Sequence, residues 1–275
     1  MTIILVYAQP GAIPRPFGSG VWIGKNGYIV TCWHVIASSP DSFKIGIARD
    51  PYVTEGKINI SVTGGTTLFD VKLVAHDEDT DVAILKADKR PDQIQLMPMV
   101  AFLGPGAAPI PVTPQTPISP KGAVLATDFP QRGETLLLAG FPIPENISNT
   151  LVLQTGVATG FLSHPRTDAS LPSTGLRLML SVVSNPGNSG GPVLDAAGRV
   201  VGLLEGNLPS PIRDNQGRQL YSATVKLDPA GQFMRDPSGQ LLYDITPLQQ
   251  NSGISVAVPA KLITELAKRN NISLD

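Results

Sequence analysis

The stretch Asn185-Pro186-Gly187-Asn188-Ser189-Gly190-Gly191-Pro192 sets one serine among small residues, directly ahead of the apolar pair Val193-Leu194. Glycines at 187, 190 and 191 permit backbone conformations that a Cβ disfavours, so amide N–H groups can converge beside the hydroxyl. An acyl-transfer nucleophile needs that arrangement. A serine hydroxyl is a weak nucleophile at neutral pH and requires a base, an acid to orient the base, and donors for a developing oxyanion. The oxyanion turn is expected over Gly187, Asn188 and Ser189, with Gly187 and Ser189 supplying the N–H groups.

Gly187-x-Ser189-x-Gly191 also fits the G-x-S-x-G pattern of α/β-hydrolases, whose chain order runs serine, acid, histidine. The histidines here are His34, His76 and His164, and all precede Ser189. That excludes the α/β-hydrolase order and leaves histidine, acid, serine. His34, just past a strand end, is the candidate base, while His76 and His164 lie in polar, turn-like contexts and read as ordinary polar residues. The acid comes from the cluster Asp77, Glu78, Asp79 and Asp81. Asp81 abuts the apolar run 82–85 and is best placed for burial, with Asp79 as the alternative.

Composition narrows the class. A chain of 275 residues can bury a substantial core as one large domain or two fused halves. Charged residues are 16% and the net charge is −1 with no basic block, which argues against nucleic acid or an anionic membrane as partner. With Cys32 as the single cysteine there can be no intrachain disulfide. The apolar start 1–8 lacks the basic n-region of a signal peptide, and no stretch of about 18 apolar residues follows. A cytoplasmic location is therefore expected, with export not excluded if the chain is trimmed. No metal or organic cofactor is expected, because clustered His/Cys/carboxylate ligand patterns are missing.

Strand signals fall at 21–25 and 28–32, joined by Asn26-Gly27 as a two-residue hairpin turn, then at 71–74, 82–85, 135–139, 151–154, 176–183, 193–194, 199–204 and 254–258. Their spacing argues an all-β fold. A helix is expected over about 259–270, with Pro259 at its start, Leu262 and Leu266 on one face, and Lys268 and Arg269 near its end. Seven prolines between 98 and 120 suggest an extended connector, about 96–122, between halves at about 15–95 and 125–258. The region of about 207–251 reads as an inserted meander of hairpins, with turns at Asp228-Pro229-Ala230-Gly231 and Asp236-Pro237-Ser238-Gly239.

Four blocks in one order resemble the trypsin-like serine proteases of the HtrA/Deg branch. They are Gly18-Ser19-Gly20 through His34-Val35, Thr80-Asp81-Val82-Ala83-Ile84-Leu85, Gly187-Asn188-Ser189-Gly190-Gly191, and Ser255-Val256-Ala257-Val258-Pro259. The resemblance implies a two-barrel chymotrypsin-like fold closed by a helix, and a triad of His34, Asp81 and Ser189 hydrolysing peptide bonds of a protein or peptide substrate. It also implies that Asn188, standing where clipped zymogens carry an aspartate, forms no ion pair with a new N-terminus. Activity would then depend on ordering of 185–188. Chain position relative to Ser189 assigns a substrate pocket to Val183 or Ser184 at the base, with Leu204, Glu205, Gly206 and Ser255 in the walls. No aspartate occupies that base, so a small or aliphatic P1 residue is expected. Glu205 is an unexplained charge on that wall, expected either to point to solvent or to favour a basic or polar subsite. A silent protease-like adaptor, or an esterase with the same triad, are the other readings. A regulatory partner or fused domain is allowed, although the PDZ domain common in that branch is not expected within the chain.

Overall fold

Residues Val82–Ala87 are apolar except for Lys86 and buried along almost their whole length, so they belong between two other strands inside a sheet. Tyr28–Thr31 and Val71–Asp77 are those neighbours. The computed structural model describes residues 2–6, 15–37, 43–47, 61–62, 67–69, 71–88, 99–102, 110–112, 122–142, 152–164 and 175–274. In chain order its first strands are β1 (Thr2–Val6), β2 (Arg15–Ile23), β3 (Tyr28–Thr31), β4 (Phe43–Ile47), β5 (Ser61–Val62), β6 (Thr67–Phe69), β7 (Val71–Asp77) and β8 (Val82–Ala87). Seven of these form one antiparallel sheet in the order β6-β4-β1-β2-β3-β8-β7. β5 instead joins β9 (Met99–Phe102) and β10 (Ile110–Val112) in a three-stranded sheet.

The second half contains β11 (Thr135–Gly140), β12 (Val152–His164), β13 (Gly175–Leu180), β14 (Pro192–Leu194), β15 (Val200–Pro211), β16 (Tyr221–Val225), β17 (Tyr243–Pro247) and β18 (Gln249–Pro259). Six of them close into a barrel in the order β11-β12-β13-β18-β15-β14. Leu136, Leu138, Leu178, Leu180, Val193, Val201 and Leu204 fill it. A second core lies in the first half around Ile29, Val30, Ile84 and Leu85. The fold is all-β with one closing helix, α1 (Ala260–Arg269). Of its buried residues Ala260, Ile263, Leu266 and Ala267, the last three pack into that first-half core. Leu262, expected on this face, is only partly buried, because Ile263 takes the inward position.

Two local expectations differ from the structure. β2 and β3 are joined by four residues, 24–27, rather than by Asn26-Gly27 alone. Gly24 has φ +60° and donates its N–H to the Ala123 carbonyl, so the chain leaves the ladder early to bond another segment. The proline-rich stretch is not entirely unladdered, since Ile110, Pro111 and Val112 pair with Ala101, Val100 and Met99. Pro111 is tolerated there because β10 is an edge strand, with no ladder bond required on its outer side. The rest of 98–120 lies outside the described residues apart from Met99–Phe102.

The chain divides into two compact units, one of Met1–Asn207 with Ile254–Asp275 and the other Leu208–Gly253. No residue of the second unit is buried, and its order rests on hydrogen bonds. β16 pairs with β17, and the three carbonyls of Lys226, Met234 and Leu242 receive one another's amides in a ring. One turn recurs through the chain. In Asp195-x-x-Gly198, Asp214-x-x-Gly217, Asp228-x-x-Gly231 and Asp236-x-x-Gly239, the aspartate Oδ1 accepts the N–H groups two and four residues on at 2.8–3.0 Å. Each glycine has φ between +75° and +88°, which L side chains avoid.

These bonds favour the ionised aspartates. At Asp214 the Arg218 amide and guanidinium hold the carboxyl below its ordinary pKa, and at Asp236 the Ser238 hydroxyl and Gln240 amide do the same. A depressed folded pKa stabilises the turn above the unfolded value, and that stability is lost as pH falls through the folded one. In an NMR acid titration, the amide protons of Gln216, Arg218, Ser238 and Gln240 are expected to move together with their aspartates, at a pH below the ordinary aspartate range.

Candidate active site

β3 ends at Thr31, and a 3-10 turn over Trp33–Val35 carries His34 away from the sheet. Asp81 begins the return into β8 with φ +56°, a left-handed conformation that asparagine and aspartate adopt more readily than other non-glycine residues. The two turns are fastened together. The Asp81 carbonyl accepts the Trp33 amide at 3.1 Å, Asp81 Oδ1 accepts the His34 amide at 2.8 Å, and Asp81 Oδ2 meets His34 Nδ1 at 2.7 Å. Asp81 is 1% exposed and His34 30%, so the imidazole is partly open to solvent while its carboxylate partner is not. Burial alone would lower the His34 pKa. The hydrogen bond and charge of Asp81, with the Glu205 charge added, outweigh it and hold the pKa above the ordinary value.

The other acids of the cluster serve the turn. Asp77 accepts the Thr80 amide at 3.2 Å and pairs with Arg269 of α1, while Glu78 and Asp79 are exposed. Asp81, rather than Asp79, is therefore the carboxylate against His34. His76 stacks on Trp33 with ring centroids 4.0 Å apart, a packing role in place of the polar turn expected for it.

Ser189 lies in the glycine turn between β13 and β14. Gly187 has φ +92° and Gly190 φ +80°. A Cβ on Gly190 would stand 2.2 Å from both the Ser19 carbonyl and Thr31 Oγ1, and one on Gly191 would stand 2.3 Å from the Ala139 carbonyl. Close backbone approach, as well as positive φ, thus dictates the small residues. Ser19 pins the turn from the first half. Its hydroxyl donates to the Gly187 carbonyl at 2.7 Å and accepts the Phe141 amide at 2.9 Å, and its amide donates to the Ser189 carbonyl at 2.8 Å. Sequence reasoning gave Ser19 no such role.

Among the described residues the amides of Gly187 and Ser189 meet no protein acceptor, as two oxyanion donors require. The Asn188 amide does not fit that set, because it donates to the Asn185 carbonyl at 3.0 Å. Asn188 instead packs its buried side chain against Gly140. The Ser189 hydroxyl donates to the Glu205 carbonyl at 3.0 Å rather than to His34.

The pocket residues divide. Leu204 is fully buried and fills the second-half barrel, so its side chain is core rather than wall. Val183 is 46% exposed, and Gly206 has open space where a Cβ would stand. Ser184 and Ser255 are buried and brought together by Asn207, which the sequence reading passed over. Asn207 Oδ1 accepts the Ser184 amide at 3.0 Å and the hydroxyls of Ser184 and Ser255 at 2.8 Å each, while Nδ2 donates to the Ser184 carbonyl at 2.6 Å. Period-two counting from Glu205 along β15 would have put Asn207 on the same face. Glu205 does not point to solvent. Its carboxylate is ion-paired to Arg177, and both side chains are 0% exposed.

Cys32, His34 and Asp81 hold potential ligand atoms within 4.8 Å of one another. Those atoms are already engaged, since His34 Nδ1 faces Asp81 and Cys32 Sγ donates to the Leu204 carbonyl at 3.2 Å. Burial, then the charges of Asp81 and Glu205, push the Cys32 thiol well up, so it stays protonated. A thiol in that state is a poor metal ligand.

Replacing Gly190 by alanine combines left-handed strain with a backbone clash and is expected to cost about 3 kcal/mol or more of stability. Denaturant unfolding measures it, and an unchanged midpoint would contradict the packing described.

The family model for the trypsin-like peptidase domain matches residues 18–203. Protease Do-like 1, chloroplastic, from Arabidopsis thaliana is 29% identical over 196 residues, which span 70% of this chain and 33% of that protein. Serine protease Do-like HtrA of Bacillus subtilis (strain 168) is 26% identical over 85% of this chain and 44% of its own. This chain thus spans between a third and under half the length of these curated relatives. Among solved structures, the HtrA-type protease AlgW with decapeptide aligns at TM-score 0.53 and 20% identity, over 94% of this chain and 53% of its own. The active form of the Rv3671c protease from M. tuberculosis aligns at TM-score 0.55 and 16% identity, over 99% and 81%. With its fold shared by those structures and the histidine, acid and serine blocks inside the matched region, the chain belongs to the trypsin-like peptidase domain family.

Proposed function

We propose that the chain is a serine endopeptidase acting through an acyl-enzyme, with Ser189 as nucleophile, His34 as general base and acid, and Asp81 as the orienting carboxylate. The carrying observation is the double hold of Asp81 on His34, amide and ring together, in a protein whose Ser189 turn leaves two amides without acceptors among the described residues. Asp81 fixes the tautomer with the proton on Nδ1, so Nε2 is the lone pair that takes the Ser189 proton. Turning the Ser189 side chain away from the Glu205 carbonyl exchanges that acceptor for the imidazole. The tetrahedral oxyanion then receives the Gly187 and Ser189 amides, and His34 returns the proton to the leaving amine. Ordering of 185–188 by Ser19 and the packed Asn188 takes the place of an N-terminal ion pair. The HtrA-type relative AlgW was solved with a decapeptide, which supports a peptide substrate here.

A fluorophosphonate probe is expected to label the protein at Ser189, and Ser189→Ala to abolish labelling with a loss on the order of 10⁶ in kcat. An unlabelled protein that still binds peptides would favour an adaptor role, and aryl-ester turnover without casein cleavage an esterase.

The Asn207 side chain, hydrogen-bonded to both Ser184 and Ser255, restricts P1 to small residues. Asn207→Gly is expected to raise kcat/KM for larger aliphatic P1 residues relative to alanine by about tenfold or more. A P1 profile that does not change between the two proteins rules Asn207 out as the determinant.

A further inference from the structure

Arg177 is a single cation in the apolar run Gly175–Leu180, and Glu205 a single anion in the apolar start of β15. Alternation along β13 sends Leu178 and Leu180 into the barrel core and Arg177 to its outer side. There its Nε donates to Glu205 Oε2, its Nη2 to the Thr80 carbonyl at 3.2 Å and its Nη1 to the Leu176 carbonyl at 3.1 Å. Thr80 directly precedes Asp81, and Glu205 supplies the carbonyl that holds the Ser189 hydroxyl. A fully buried ion pair is not needed for stability, since apolar residues of similar volume commonly serve as well. What apolar residues could not do is fix three directions at once, as the planar guanidinium does.

We propose that Arg177 and Glu205 form a positioning pair, the guanidinium holding the peptide that carries Asp81 in fixed relation to the strand whose carbonyl receives the Ser189 hydroxyl. This rests on the endopeptidase reading above. The first half of the triad and its nucleophile belong to different sheets, and this pair is a direct polar tie between the acid turn and β15. The pair also sets the electrostatics at His34. The charged or titratable groups facing that ring are Asp81 from the acid turn, Cys32 from its own segment and Glu205 from β15, whose charge Arg177 offsets. Removing the Glu205 charge while keeping its backbone carbonyl weakens the stabilisation of the imidazolium.

The test uses the full chain carrying Glu205→Gln, Arg177→Met or Arg177→Lys. Glu205→Gln is expected to move the acid limb of kcat/KM to lower pH. In the Ser189→Ala background it is expected to move the His34 ring titration, followed by NMR, in the same direction. Arg177→Met is expected to lower kcat between about 10- and 100-fold with little change in KM, the size of loss that follows a small displacement of reacting groups. Arg177→Lys restores part of it. If the variants fold and keep the parent's kcat, acid limb and His34 titration, the pair is structural only and the proposal fails. Should Arg177→Met not fold, the Glu205→Gln titration decides alone. A parent protein that neither cleaves peptides nor takes the fluorophosphonate overturns the endopeptidase reading, while the His34 titration still judges the pair.

Discussion

One buried carboxylate holds the site together. Asp81 accepts from the His34 amide and ring and, through its carbonyl, from the Trp33 amide, so the turn leaving β3 and the turn entering β8, at one end of the strand pair, become one rigid corner. An ionised group at 1% exposure is costly to desolvate, and the cost is offset only because each of its oxygens has a donor. Its left-handed φ is a second cost borne at the same position. The corner persists because β3 and β8 pair residue for residue beneath it, from Tyr28 with Lys86 to Thr31 with Ala83.

From that corner the remaining parts are placed by contacts between the halves. Ser19 reaches the Ser189 turn with both its hydroxyl and its amide, and Thr31 Oγ1 in turn holds the Ser19 carbonyl at 2.7 Å. Gly190 is needed where these backbones converge. The helix α1 belongs to the same scheme, since Ile263 and Leu266 pack into the first-half core and Arg269 pairs with Asp77 below the acid turn. The segment after the second barrel thus braces the first half.

Much of this was legible in the sequence, and the reasons are local. The glycine turn, the order of histidine and serine, and the apolar run after Asp81 are short-range signals, and they led to the residues now found around His34 and Ser189. What stayed hidden depends on partners distant in sequence. Glu205 looked like a solvent-facing charge because nothing nearby in sequence pairs with it, and its partner Arg177 lies two strands away in the barrel order. Matching the two lone opposite charges in apolar strands could have suggested the pair. Leu204 was misassigned to the pocket wall for a similar reason, since position in the chain does not say which face of β15 turns inward. The Asp-x-x-Gly turns were recognised at 228 and 236 by their prolines, whereas those at 195 and 214 lack a proline and were missed.

Cys32 sits behind His34 in the same negative field. A field that favours an imidazolium disfavours a thiolate, so one arrangement of carboxylates acts in opposite senses on two neighbouring side chains. Oxidants and alkylating agents attack the thiolate form. The charges that raise the His34 pKa therefore disfavour the reactive form of the cysteine, as its full burial shields it sterically. The serine turn and a buried, protonated sulfur thus share one small volume.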